Sequence, residues 1–531
     1  MSFMARSLNF KYFLQLLREE SAALSSPLAF SSRRDFLKKA ALGGAATATL
    51  AGCSNFDRWV RGDNHQLDHE VMVLGGGLAG LAAAYQLKRN KTPYQLFEGS
   101  SRLGGRIQTL FQFNPDGQFA ELGGEFFDGG HKTLLQLCKD LSLNAQEITY
   151  DNKSDHALYW ISGKVMSEKD FRKKLRPLAI RLAQTRQELF ASIPTELTPR
   201  ALILHPPSAT VDNQSLADFL NALKPSTDFA ILNCFENICV SEWGVEAKDI
   251  NFLQFLVRLD FEERTGITKL YRVEGGTSRL IDVLGERVQG IVPGTTLKVE
   301  HRLVAIRGKS NGFECTFRTP NGSDVVWARQ IICTLPWSTL KDVDGIQSLE
   351  LNPLRKELIS KATYATHAKV ATSFRDAFWR KKQKAQVSYQ GILRGELLGQ
   401  NYWDTSRNQE GTHGVLTSQR GGSRGQNTGV NASAETLQDL RNFFKEVNGE
   451  ENSQVANWSQ KPFAKGSRYN VPPGGYLKYL EMLSGDPEAI TFYFAGEHMS
   501  FHDFGTMNGA LETGIAVADI AMQKAFLKGY I

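Results

Sequence analysis

Gly75, Gly77 and Gly80 stand at G-x-G-x-x-G spacing, directly after the apolar run Glu70 to Leu74 and before the alanine-rich stretch Leu78 to Leu87. Strand, tight glycine turn and helix in that order build a seat for a pyrophosphate. Gly75 permits the turn, Gly77 lets backbone approach phosphate, and Gly80 lets the helix pack close to the strand. The helix start at Leu78 and Ala79 then turns its free N–H groups toward the anion. A second apolar run, Tyr94 to Phe97, ends in Glu98, whose carboxylate can accept ribose hydroxyls and disfavours a 2′-phosphate, hence NADP. This constellation implies dinucleotide binding and leaves NAD and FAD both open.

Two further stretches separate them. Arg102 to Arg106 reads RLGGR, and Ala120 to Phe127 reads AELGGEFF. With these the sequence resembles the flavin-containing amine oxidase family, which holds monoamine, polyamine and L-amino-acid oxidases. The resemblance implies FAD, with Arg102, Gly104 and Gly105 along the extended cofactor and Arg106 neutralising pyrophosphate charge. Tyr271 to Leu280 (YRVEGGTSRL) resembles the family's return to the FAD domain. Thr296 to Ile306 resembles the strand whose backbone, at Val304, meets adenine, and Gln330 to Pro336 is the buried strand that leads out. Phe492 to Met499 (FYFAGEHM) and Gly505 to Ala510 (GTMNGA) resemble the family's C-terminal signature. There Gly496, Glu497, Thr506 and Met507 would meet ribityl or pyrophosphate groups, and the last helix, Leu511 to Ala525, would aim its N-terminus at the flavin C2 carbonyl.

The chemistry implied is hydride transfer from the α-carbon of a small-molecule amine to flavin N5, with O2 reduced to hydrogen peroxide and the imine hydrolysed. The cofactor carries the redox step, so no acid–base triad is required. Lys369, ten residues before Trp379 in KVATSFRDAFW, resembles the family's lysine that holds a water against N5; a strand-edge lysine reaching solvent is the plain alternative. Substrate choice departs from the pattern. Monoamine oxidases cage the amine between two tyrosines, whereas here Gly466-Ser467-Arg468 and Gly505-Thr506 stand in those turns, with Tyr469 one residue off. The tethering cysteine is missing too, which implies FAD held without a covalent bond. No arginine follows the Leu-Gly segment to take an amino-acid carboxylate, unless Arg468 does so. Asp128 falls where polyamine oxidases carry a polar or acidic residue near the amine tunnel, with an exposed loop carboxylate as the alternative. Polyamines or primary amines are therefore expected ahead of L-amino acids. A dehydrogenase, a desaturase or a flavin module of the same fold is the other class.

These residues need an α/β chain of two domains, a Rossmann-like FAD-binding domain and an α+β substrate-binding domain. The segments expected are 66–150, 267–336 and 458–531 for the first, and 151–266, read as helical, and 337–457 for the second. An amphipathic helix is expected over residues 131–143. Length and composition are those of a globular protein: 531 residues, 41% hydrophobic and 22% charged. Residues 1–52 differ in kind. Ser32 to Lys38 (SRRDFLK) reads as a twin-arginine export signal, Ala40 to Thr49 is too short for a membrane anchor, and Leu50-Ala51-Gly52-Cys53 resembles a lipobox. The expected partners are the twin-arginine machinery and a membrane reached through lipid on Cys53, in the periplasm or cell envelope. Cleavage without lipidation is the alternative. That segment holds seven Lys or Arg against three Asp or Glu, most of the total +6, so no basic nucleic-acid surface is expected beyond it. Cys138, Cys234, Cys239, Cys315 and Cys333 lack metal-ligand spacing and read as buried thiols, with one disulfide possible in an oxidising compartment.

Overall fold

The structure, a computed structural model, describes residues 17–19, 69–148, 155–193, 196–265, 269–289, 296–381, 389–447, 449–485 and 490–527. The twin-arginine stretch, the lipobox and Cys53 lie outside these residues.

Two seven-stranded sheets dominate. The first has a parallel core. His69–Leu74 lies between Tyr94–Phe97 and Gly322–Cys333, Thr296–Lys298 extends one side, and Phe492–Phe494 joins the far end of Gly322–Cys333. Parallel strands buried on both faces read as continuous apolar runs, as Val71 to Leu74 and Tyr94 to Phe97 do. The strand Gly322–Cys333 does two jobs. Its first half pairs antiparallel with Gly312–Thr319, which pairs in turn with Arg302–Lys309, while Ile331 to Cys333 pair with Phe492 to Phe494. Helices Leu78–Arg89 and Met507–Leu527 pack against one another beside this sheet.

The second sheet is mostly antiparallel, in the order Glu450–Asn457, Ala368–Phe374, Gly414–Arg420, Asn401–Asp404, Tyr389–Gly395, Asp155–Ile161 and Lys164–Ser167. Every residue of Ala368–Phe374 and of Gly414–Arg420 is buried, so polar side chains on these strands must find partners inside the protein. The expectation that residues 151–266 are helical is corrected at its start. Asp155–Ile161 and Lys164–Ser167 form the far edge of this sheet before the helices Glu168–Phe190 and Phe229–Trp243 begin. The alternation that betrays the strand is present, since Ala157, Tyr159 and Ile161 are buried while Leu158 and Trp160 are half-buried. The run Thr296 to Ile306 is also two strands, Thr296–Lys298 and Arg302–Lys309, facing different partners. Among the described residues no helix is long and apolar enough to cross a membrane, and no cluster of metal-ligating side chains occurs.

Candidate active site

A cavity of about 670 Å³ is lined by residues of both sheets. Gly75, Gly77, Leu78, Ala79, Glu98, Arg102, Gly104, Gly105, Arg106, Val304, Gly496, Glu497, Thr506 and Met507 all reach it, as do Lys369 and Arg468. These residues span more than four hundred positions of sequence, and the fold brings them to one wall-to-wall space.

The glycine turn leaves room for a group the protein itself does not fill. A Cβ on Gly77 would meet nothing within 4 Å, although the residue lines the cavity. Gly77 also caps the helix Leu78–Arg89 without any side-chain hydrogen bond and with no acid in its first turn, so the leading N–H groups stay available to an anion. Gly75, Gly104 and Gly105 adopt positive φ values of 106°, 99° and 55°. Gly80 behaves differently: it does not line the cavity, and a Cβ there would lie 1.9 Å from the Gly75 carbonyl oxygen. It acts by letting helix and turn touch rather than by meeting a ligand.

Glu98 closes the strand Tyr94–Phe97 and is fixed by its surroundings. The Gly76 N–H donates to its Oε2 at 2.7 Å, and the Ser100 N–H and hydroxyl donate to Oε1 at 2.8 and 2.7 Å, which leaves Oε2 a lone pair for a hydroxyl. Arg102 lines the cavity but spends its guanidinium on the carbonyls of Leu103, Ile107 and Gly105, bracing the loop. Arg106 is paired with Glu497 at 2.8 Å and donates to the Ser467 carbonyl. Burial works against its charge, but the carboxylate beside it outweighs that and raises its pKa. Glu497 Oε1 also accepts the Tyr469 N–H, while Oε2 is buried at the cavity wall without a protein partner. An orphaned acceptor there, an empty place over Gly77 and an uncapped helix start fit a bound dinucleotide with hydroxyls to donate.

At the second sheet, Lys369 is 8% exposed on Ala368–Phe374. Its ammonium donates to Glu125 Oε2 at 3.0 Å and the Gly123 carbonyl at 2.9 Å, and lies 5.1 Å over the Trp403 ring. Trp403 Nε1 donates to Glu125 Oε1 at 3.3 Å, and Trp458 Nε1 to the Leu122 carbonyl at 2.8 Å. Both indoles are pinned by their N–H edges and line the cavity with Phe126. Four residues before Glu125, at the end of the short strand Ala120–Glu121, Glu121 is fully buried; burial, aided by the Glu125 charge, pushes its carboxyl up to about 7 against the pull of Thr277, Thr109 and Lys369.

Sequence reasoning missed Glu125, Glu242, Trp403, Trp458, His367 and Gln419, all on the cavity wall. Trp403 rather than Trp379 accompanies Lys369. Trp379 sits in the short helix Phe378–Arg380, in a separate apolar cluster with Phe374 and Phe378. Asp128, expected at a tunnel mouth, is corrected: it is fully buried on the strand Phe127–Asp128, off the cavity, accepting from the Gly130 N–H at 2.8 Å with His131 alongside. Tyr469 is also off the cavity, packed against Trp337, Tyr364, Tyr479 and Phe504. Thr506 lines it and caps the last helix, its hydroxyl accepting the Gly509 N–H at 3.0 Å. The five described cysteines are buried, free and away from the cavity.

The sequence profile described as flavin containing amine oxidoreductase matches residues 78–522. Amine oxidase [flavin-containing] B of Mus musculus is 24% identical over 472 residues, 84% of each chain. The flavin-dependent L-tryptophan oxidase RebO of Lentzea aerocolonigenes is 26% identical over 333 residues, covering 59% of this chain and 67% of that one. Among solved structures, cyclohexylamine oxidase from Brevibacterium oxydans IH-35A superposes with a TM-score of 0.71 at 20% identity, over 86% of this chain and all of that one. Putrescine oxidase bound to putrescine gives 0.69 at 18% identity, over 86% of this chain and 99% of that one. The fold is that of these FAD-dependent oxidases, and the chain belongs to the flavin containing amine oxidoreductase family.

Proposed function

We propose that this oxidoreductase oxidises a primary amine at the Lys369 end of the cavity, with FAD held non-covalently and O2 as the final electron acceptor. The balance is R–CH2–NH3⁺ + O2 + H2O → R–CHO + NH4⁺ + H2O2. The observation that carries it is the continuity of one cavity from the glycine cradle to a buried lysine walled by indoles.

Gly75, Gly77 and the helix start behind them would hold the pyrophosphate, Glu98 the ribose, and the Arg106–Glu497 pair the ribityl chain. Bound FAD would accept two electrons from the amine and return them to O2. The protein's contribution is orientation and a dry, shaped surface. Trp403, Trp458 and Phe126 exclude water and hold the apolar part of the amine. Glu125 and the Gly123 carbonyl fix two of the three Lys369 N–H groups, leaving the third to hold a water in the cavity. The five described cysteines, all away from the cavity, support a cofactor bound without a covalent link. Of the two amine classes favoured by sequence, polyamines lose the residue that recommended them, because Asp128 is sealed from the cavity.

A non-oxidase flavin protein of this fold remains the second reading, because no tyrosine among the described residues lines the cavity to form an amine cage. Purified protein with its flavin separates the two: anaerobic addition of pooled monoamines, polyamines and amino acids should bleach the visible flavin band, and air should then release peroxide. A yellow protein that stays yellow with every pool rejects the oxidase. Export by the twin-arginine route with lipid on Cys53 is proposed from sequence alone; an unmodified N-terminus found by mass spectrometry of the cell-envelope protein would reject the lipid.

A further inference from the structure

Arg468 is the one buried guanidinium on the cavity wall, among the described residues, whose N–H groups are neither matched by a carboxylate within ion-pair distance nor spent on bracing a loop; Arg302 and Arg318, also on the wall, are exposed. It is 6% exposed. Nη2 donates to the Glu242 carbonyl, and the guanidinium lies 5.8 Å over the Trp243 ring. A guanidinium carries five N–H donors, so most of its hydrogen-bonding capacity is unspent, and Nε and Nη1 are not sealed inside the protein. What little of the side chain is exposed opens on the cavity.

The charges nearby do not cancel. Glu125 is taken by Lys369. The Glu242 carboxylate and a second guanidinium, Arg258, both act on Arg468 electrostatically, in opposite senses. Glu497, the third charge acting on Arg468, is taken by Arg106, so Lys369, Arg106, Arg468 and Arg258 stand against Glu125, Glu242 and Glu497, one positive charge in excess. Burial lowers the Arg468 pKa to about 10, so it keeps its proton in neutral solution, with the Glu242 and Glu497 carboxylates acting on it from beyond ion-pair distance. A desolvated cation with a free fork of donors matches a carboxylate. It repels a second ammonium, which is what a diamine would bring.

We infer that the substrate is an amine bearing a carboxylate beside the reacting carbon, an α-amino acid, and that Arg468 binds that carboxylate from the turn Gly466-Ser467-Arg468. The balance becomes R–CH(NH3⁺)–CO2⁻ + O2 + H2O → R–CO–CO2⁻ + NH4⁺ + H2O2. The aromatic walls Trp403, Trp458 and Phe126 favour an apolar or aromatic side chain R. This deepens the oxidase activity proposed for the cavity and rests on it.

Matched pairs test it on the flavin-loaded protein: L-phenylalanine against 2-phenylethylamine, and L-leucine against 3-methylbutylamine, by anaerobic rates of flavin bleaching. Each acid should exceed its decarboxylated partner by about a hundredfold, and Arg468→Gln should erase that ratio while Arg468→Lys restores part of it. Phenylacetate against phenylacetamide, titrated by the shift of the oxidised flavin band, reads the carboxylate subsite without turnover. If neither amines nor amino acids bleach the flavin but phenylacetate still binds through Arg468, the oxidase proposal fails and the carboxylate site stands. Amines that react as fast as their acids overturn the inference. So does an Arg468→Gln protein that keeps the acid preference but shifts the flavin potential, since Arg468 would then serve the cofactor. Should Arg468→Gln not fold, the acid-to-amine ratio of the unaltered protein decides.

Discussion

Glu121→Gln should make the protein's stability less sensitive to pH. The carboxyl is fully buried, and its pKa rises from the ordinary 4.5 to about 7, mainly through burial and secondarily through Glu125. A raised acid keeps its proton longer in the folded chain than in the unfolded one. Stability is therefore lost as pH rises from about 4.5 to about 7, and the loss levels off above that. Linkage between those two values gives about 2.5 kcal/mol lost between pH 5 and pH 8 at this site. Glutamine copies the protonated acid. Its carbonyl accepts from the Thr277 N–H, which now meets Oε1 at 2.6 Å, and its amide donates to the Thr109 hydroxyl, now 2.8 Å from Oε2. The variant should therefore gain about 2.5 kcal/mol on the parent between pH 5 and pH 8. Urea unfolding of both flavin-loaded proteins at the two pH values, by circular dichroism and flavin release, measures the difference once refolding is shown to be reversible. A gap between the curves that is the same at both pH values would mean that Glu121 is already ionised in the native protein, and the electrostatic account of this layer would fail.

Gly77→Ala and Gly80→Ala should fail differently. The first puts a methyl into open cavity, so unfolding of the flavin-free protein should be unchanged while FAD affinity drops by about tenfold or more. The second places a methyl 1.9 Å from the Gly75 carbonyl oxygen and should cost about 1–3 kcal/mol or more of stability; equal losses of FAD and stability in both would contradict the division of labour. Lys369→Met should retain FAD but slow reoxidation by O2 in stopped flow, and because it strands Glu125 it should destabilise by about 3–5 kcal/mol, recovered in part by adding Glu125→Gln. Reoxidation at the parent rate would remove Lys369 from the oxidative step. Asp128→Asn, off the cavity, should leave KM for spermidine and simple amines unchanged; a severalfold rise would return Asp128 to the substrate path.

The cofactor half of the site was legible because it is local. Strand, glycine turn and helix occupy consecutive residues, and the acid at Glu98 ends the very next strand, so spacing carries the geometry. The substrate half is assembled from far apart. Glu125 lies 244 residues from Lys369 and 278 from Trp403, and no periodicity links them. Trp379, nearer in sequence, was the wrong indole because the strand ends at Phe374 and the chain turns into a short helix before reaching it. Asp128 misled for a related reason: both of its readings, tunnel residue and exposed loop carboxylate, left it accessible, whereas pairing of Phe127–Asp128 with Leu270 and Tyr271 draws it inside. Residues 157–161 of the edge strand alternate, but they and Lys164–Ser167, which does not, stand next to a long helix that dominated the segment.

The long strand Gly322–Cys333 waits at its inner end for Phe492–Phe494, and the glycine turn after Leu74 waits for Gly496 and Glu497. On a ribosome Gly496 emerges about 420 residues after Leu74, an interval on the order of a minute at roughly 5–20 residues per second. Throughout it the nascent chain carries half a nucleotide seat with an exposed parallel edge, a surface that invites pairing with other chains. The nucleotide seat is complete only once Gly496 and Glu497 have emerged, so flavin supply from that moment, rather than earlier in translation, governs how much of the protein escapes misassembly.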